Sequence, residues 1–255
     1  MHYYVISNDD DRREHWETTL RERGFDVVEE YDSDAVIVTL GGDGTILYAA
    51  RTLPDPTILP VRTGRSKGYK TCLESTQLVA TLEELEAGDA GVSEVCTEHR
   101  KIGAYRDGTQ LGGKFDAVNE ISLHHSSPTL AAVLSVRIRD GDERYQYERV
   151  IGDGVLVATP FGSTAYYHSI TGGTFSEGLG VAFNNVHTPV ETPSHMVVSD
   201  NAVVEVETPE SEHAASGVLT RDNAEEVYEL AVGEPVEIRH SGDTVEILDP
   251  VAQEE

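Results

Sequence analysis

One carboxylate stands alone among glycines in Gly41-Gly42-Asp43-Gly44-Thr45, directly after the apolar run Ala35-Val36-Ile37-Val38-Thr39-Leu40. A buried strand that enters such a turn and then a helix exposes backbone N–H groups. The helix start adds positive potential, so a phosphate can be held there without a lysine. Asp43 has the chemistry to take a proton from an attacking hydroxyl. Further along, Asp153-Gly154 precedes Ala158-Thr159-Pro160-Phe161-Gly162-Ser163-Thr164-Ala165-Tyr166, a turn rich in small hydroxyl residues and suited to gripping a polar ligand. Together the stretches suggest phosphoryl transfer to a nucleotide-like acceptor, a reaction that needs positioning and charge neutralisation rather than covalent catalysis. Neither a P-loop sequence nor a GxGxxG fingerprint is present. Each piece also has a plain structural reading: Asp43 as a helix cap, Asn119-Glu120 as a polar strand end, and 159–166 as a loop with Pro160 starting a turn and Ser163 capping a helical turn. Their occurrence together favours the functional reading.

The elements that must place these residues follow from the hydropathy pattern. Strands are expected at Tyr3 to Ser7, Phe25 to Val28, Ala35 to Leu40 and Thr57 to Val61. Helices are expected from Arg12 to Arg23, capped by Asp9-Asp10-Asp11 and stopped by Gly24, over Thr45 to Arg51, and from Gln77 to Glu86 with Leu78, Leu82 and Leu85 on one face. Alternating strands and helices predict a Rossmann-like α/β domain with a parallel sheet over residues 1–92. From 93 to 255 the texture changes to short alternating segments, such as Leu130 to Arg139, Ala202 to Thr208 and Pro235 to Arg239. Turn pairs separate them at Asp107-Gly108, Asp140-Gly141 and Ser241-Gly242-Asp243. That pattern predicts an all-β, sandwich-type second domain, with one or two helical turns over Ser163 to Ile170. A ligand is expected between the domains.

Net charge is −27, from 46 acidic against 19 basic residues, and only four of the latter are lysine. Such a surface repels nucleic acid and anionic membranes, so neither is expected as a partner. Acid excess with scarce lysine suits a salt-rich cytosol, where screening weakens self-repulsion; a halophilic source is expected. Against this background Arg62, Arg65, Lys67 and Lys70 form a basic island beyond the glycine turn. It reads either as a solvated loop or as an arm that neutralises phosphate, with Arg51 joining it and Arg65 or Lys67 touching the donor. Cys72 and Cys96 have neither metal-ligand nor redox spacing and are expected as buried free thiols. His124 and His125 are neighbours on an expected strand and point to opposite faces, so no zinc site is indicated. With no long apolar run and no signal peptide, a cytoplasmic protein is expected.

The glycine turn, then Asn119-Glu120, Asp153-Gly154, Thr159-Pro160, Gly162-Ser163-Thr164-Ala165-Tyr166 and Gly172-Gly173 occur in the order seen in NAD kinases, which the chain resembles over about residues 35 to 173. The glycine turn alone is shared with diacylglycerol, sphingosine and phosphofructokinases; the Asn-Glu pair with the GSTAY segment is more specific. The resemblance implies that Asp43 contacts the adenosine ribose and acts as base for its 2′-hydroxyl, while Gly41, Gly42 and Gly44 approach phosphates and Thr45 also binds nucleotide. It implies that Asn119 and Glu120 bind NAD, that Asp153 lies toward the nicotinamide, and that Thr164, Ala165 and Tyr166 lie near the adenine and ribose, with Thr159, Gly162, Ser163 and Ser169 also among the nucleotide-binding residues. ATP or another phosphoryl donor, a divalent metal (magnesium) travelling with it, and a homodimer or homotetramer are also implied. The chain departs from the family pattern in four places. Arg62 stands where asparagine is usual, Lys67-Gly68-Tyr69 roughly where leucine-glycine-phenylalanine is usual, Phe161 where threonine is common, and Asp222-Asn223 where Asp-Gly is often seen. Two other readings stay open: a lipid or small-molecule kinase built on the same turn, and a nucleotide-binding sensor without turnover.

Overall fold

The computed structural model describes residues 1–64, 70, 73–88, 96–127, 129–210 and 216–249. Two compact units emerge: Met1–His99 with Thr244–Glu255, and Arg100–Asp243.

The first unit begins with β1 (His2–Ser7), α1 (Asp10–Glu22), β2 (Asp26–Val27), β3 (Val36–Gly41), α2 (Asp43–Thr52) and β4 (Thr57–Arg62). A short β5 (Leu73–Glu74) and α3 (Leu78–Ala87) follow. The strands pair in parallel, β2 with β1, β1 with β3, β3 with β4. Every residue of β3 is buried, as a strand covered on both faces requires. Asp9 caps α1 by accepting the Arg12 N–H at 3.0 Å, and Gly24 stops it at φ +93°. In α3 the expected stripe of Leu78, Leu82 and Leu85 is buried, each side chain contributing roughly 1.5–3 kcal/mol.

The second unit holds most of β6 (Cys96–Arg106), then β7 (Thr109–Gln110), β8 (Asp116–Ala117), β9 (Glu120–His125), β10 (Ala132–Asp140), β11 (Glu143–Gly152) and β12 (Gly154–Ala158). A 3-10 turn over Phe161–Thr164 and α4 (Tyr166–Thr171) come next. Then follow β13 (Leu179–Asn184), β14 (His195–Val198), β15 (Val203–Glu207), β16 (Gly217–Arg221), β17 (Tyr228–Leu230) and β18 (Val236–Leu248). One antiparallel sheet runs β14-β13-β12-β9-β16-β17; the other includes β11-β10-β15-β18. Ile121, Leu123, Val155 and Val157 from the first meet Leu134, Val136, Val204 and Val206 from the second in one apolar core. This is the predicted sandwich, made by strict alternation: in β15 Val204 and Val206 point in while Glu205 lies half-buried on the other face.

Two expectations about organisation differ from the structure. The division falls at 99–100 rather than 92–93, and the chain returns to the first unit at Thr244. The reason is β18. Val236 and Ile238 pair antiparallel with β15, whereas Glu246 and Ile247 pair parallel with β4. Ser241-Gly242-Asp243, expected as a turn, lies inside that strand; Gly242 at φ +94° marks the place where its partner changes. Cys96 is a free thiol as expected, but only half-buried; burial first, then Glu246, pushes it up to about 11. Cys72 lies outside the described residues. No described helix is long and apolar enough to cross a membrane.

Candidate functional site

The glycine turn sits where β3 becomes α2. Gly42 is the N-cap, Thr45 N–H donates to Gly42 O at 2.9 Å, and Asp43 opens the first helical turn, half-buried. Gly41 lets Thr45 pack onto the turn: a Cβ there would stand 2.2 Å from Thr45 Oγ1 and force that side chain to shift. Thr45 is thereby buried against the turn, while Gly44 is exposed. Asp43 Oδ1 accepts the backbone N–H of Lys70 at 3.0 Å. One carboxylate oxygen is thus used to hold the end of the basic island. Lys70 in turn lies close enough to His99 to add to the burial that lowers that imidazole to about 4. Arg62 pairs with Glu74 at 3.5 Å. Arg51 is placed at the opposite end of α2 from Asp43, over the Tyr48 ring, about 12 Å along the axis at 1.5 Å per residue. Arg65 and Lys67, expected to meet donor phosphates, lie outside the described residues.

In the second unit, β9 and β12 pair antiparallel with Glu120 opposite Ala158 and His124 opposite Gly154. This register sets Asn119 beside Thr159, and Asp153 at the other end of the pair. The segment 159–169 divides by burial. Thr159, Phe161, Gly162 and Ser163 are buried, Ala165 is intermediate, and Thr164, Tyr166 and Ser169 are exposed. The buried set grips the Asn119 backbone. Thr159 N–H donates to Asn119 O at 2.9 Å, and the Thr159 hydroxyl donates to Val118 O while accepting Gly162 N–H at 3.1 Å. Helix α4 is anchored by Tyr167 against Leu156, Ala158 and Ala182, which fixes where Tyr166 and Ser169 emerge. The Ser169 hydroxyl donates to Ala165 O at 3.4 Å.

Tyr166 connects the two ends of this site. Its ring stacks on His124 with centroids 6.2 Å apart, and its hydroxyl accepts from Asn184 Nδ2 at 3.1 Å. Burial, then Asp153 and Glu120, raise its pKa. Asp153 is exposed and accepts from Asn185 Nδ2 at 3.1 Å. His124, bonded to Ser122 Oγ at 2.8 Å, is lowered by burial, with Asp153 acting in the opposite sense. Asn119 and Glu120 are both nearly buried, and Asn119 Oδ1 has no hydrogen-bond partner among the described residues. A buried amide oxygen left so costs roughly 1–3 kcal/mol, which a ligand donor would recover.

The structure therefore collects Asn119, Glu120, Asp153 and 159–169 in the second unit, and Gly41 to Thr45 in the first. Sequence reasoning did not find two members. His124 underlies Tyr166, a placement that only the β9–β12 register reveals. The Asp222 carboxylate accepts the N–H groups of Val118, Asn119 and Glu120 at 3.1, 2.8 and 3.2 Å. Its only signal in the sequence was the departure at Asp222-Asn223.

The ATP-NAD kinase N-terminal domain family matches residues 7–90. An NAD kinase of Methanopyrus kandleri is 32% identical over 70% of this chain and 62% of its own length. One from Syntrophotalea carbinolica is 31% identical over 80% of this chain and 69% of its own. Among solved structures, an NAD kinase from Archaeoglobus fulgidus in complex with ATP superposes with a TM-score of 0.74 at 20% identity, covering 99% of this chain and 95% of that one, a likeness of fold. A glycine turn with its single carboxylate and an Asn-Glu strand gripped by a buried hydroxyl segment are thus found in a chain aligned with these enzymes over most of its length, and it belongs to the NAD kinase family.

Proposed function

We infer that the protein transfers a phosphoryl group from ATP or another donor to the 2′-hydroxyl of the adenosine ribose of NAD, giving NADP. The observation that carries this is Asn119 Oδ1, buried and without a hydrogen-bond partner among the described residues, in the same unit as the exposed Thr164, Tyr166 and Ser169. An adenine amine is a fitting donor to that oxygen. Asp43 serves as base for the ribose hydroxyl, its carboxylate being fixed in place by the Lys70 N–H that Oδ1 accepts. The glycine turn provides N–H groups for phosphate, and magnesium travels with the donor.

The test is purified protein with magnesium-ATP and NAD in concentrated KCl, NADP being read by a coupled dehydrogenase, with parallel arms for polyphosphate and NADH. Saturable NADP formation supports the reading. NAD binding without turnover would favour a sensor, and phosphorylation of a lipid acceptor alone would favour the lipid kinase. Asn119→Ala is expected to raise KM for NAD about 5- to 150-fold, the equivalent of roughly 1–3 kcal/mol, with little change in the turnover of bound substrate. Unchanged KM with reduced turnover would remove Asn119 from the adenine role.

We further propose adaptation to salt, supported by the net charge of −27. The melting temperature is expected to rise between low and molar KCl, as the Debye length contracts to about 3 Å at 1 M. Greater stability at low salt would refute it.

A further inference from the structure

We propose that Asp222 is a positioning residue of the acceptor site, fixing the peptide groups around Asn119 so that its amide meets NAD in one orientation. This rests on the kinase reading above. Three consecutive N–H groups end on one carboxylate: Oδ1 accepts from Asn119 at 2.8 Å and Glu120 at 3.2 Å, and Oδ2 accepts from Val118 at 3.1 Å. The Asp222 N–H donates back to Glu120 O at 2.9 Å. Val118 and Asn119 lie just before β9, where among the described residues no strand partner supplies acceptors for their N–H groups. Without the carboxylate those donors would lose their partners. From the opposite side Thr159 bonds Val118 O and Asn119 O, and Gly162 lies flush against the Asn119 backbone. The Asn119 peptide is therefore held on both edges, and its side chain inherits that placement.

Asp222 is itself held. It takes φ +44°, a left-handed conformation that aspartate and asparagine tolerate better than most residues. Preceding it, Arg221 is clamped through Lys114 O, through Asp116 at 3.7 Å and through Glu226 at 3.3 Å, with its guanidinium 5.0 Å over the Phe115 ring. Asp116 is fully buried and also meets Lys101 at 3.5 Å. A chain of buried charges thus fixes the residue that fixes Asn119.

The experiment compares wild type with Asp222→Asn, which keeps the left-handed turn but replaces one acceptor oxygen by a donor, and with Asp222→Ser, which keeps a single small acceptor. KM for NAD, KM for ATP, kcat and amide exchange at residues 118–123 are measured. KM for NAD is expected to rise about tenfold or more with KM for ATP unchanged. Exchange should quicken at Val118, Asn119 and Glu120 while Ile121 and Leu123 stay protected. A folded variant with wild-type KM for NAD and unaltered exchange overturns the proposal. So does a uniform loss, in which both KM values, kcat and exchange throughout β9 move together. If neither variant folds, the wild type decides: amides at 118–120 exchanging as fast as the exposed Asp107-Gly108 turn overturn it, and protection matching Ile121 upholds it. A wild type that neither binds NAD nor forms NADP overturns the kinase reading instead.

Discussion

Asp43→Asn is expected to keep the fold and the affinity for NAD while losing about 100- to 10,000-fold in turnover, the usual range for removal of a general base. The geometry explains why binding should survive. Asp43 begins α2, and its Oδ1 accepts the Lys70 N–H at 3.0 Å. An asparagine presents the same oxygen in the same shape, so the junction between turn and basic segment is preserved. What it cannot do is take a proton on its other terminal atom, which is now an N–H donor. Titration with NAD and a coupled NADP assay on one preparation separate the two effects. Near-normal NADP formation would remove Asp43 from the role of base, and lost binding with normal turnover at saturation would make it a ligand contact.

Gly162→Ala is expected to disable the acceptor side with a different signature. A Cβ at this position would meet Asn119 O at 2.2 Å, its carbonyl carbon at 2.5 Å and its Cα at 2.6 Å. All three are backbone atoms, so no side-chain rotation relieves the contact. Nor can residue 162 retreat freely, since its N–H donates to Thr159 Oγ1, whose proton goes to Val118 O. The methyl group must push the Asn119 peptide out of place. Overpacking of this kind costs typically about 1–3 kcal/mol, and at roughly 2–4 °C per kcal/mol for a chain of this size the melting point should fall by several degrees. Because the strain falls on the peptide that carries Asn119, KM for NAD should rise about tenfold or more, about 1.4 kcal/mol per decade, beyond what the loss of stability accounts for. A variant with wild-type NAD kinetics and an unshifted melting point would contradict the contact.

Much of the first unit was legible because local rules agree there. Apolar β3, the glycine turn and the Leu78, Leu82 and Leu85 stripe each state their structure within a few residues. The hydroxyl segment was legible in kind but not in direction. Thr159 and Ser163 share their chemistry with Thr164 and Ser169, yet the first pair is buried and the second exposed, a distinction set by packing of the 3-10 turn onto Asn119. Asp222 was illegible as an anchor because it lies 103 residues from Asn119, and only the β9–β16 pairing brings the two together. Ser241-Gly242-Asp243 misled for a related reason. Its composition is that of a turn, but the strand continues through it and exchanges one partner for another.

That exchange has a consequence for how the chain matures on the ribosome. Domains generally form in the order in which they are synthesised. Here the N-terminal sheet is made first, yet the Thr57 and Ile58 flank of β4 receives its neighbour only when Glu246 and Ile247 emerge. Until then the nascent chain carries an open parallel edge through the whole translation of the sandwich, the sort of edge that invites pairing with another chain. The unit begun first is the one completed last.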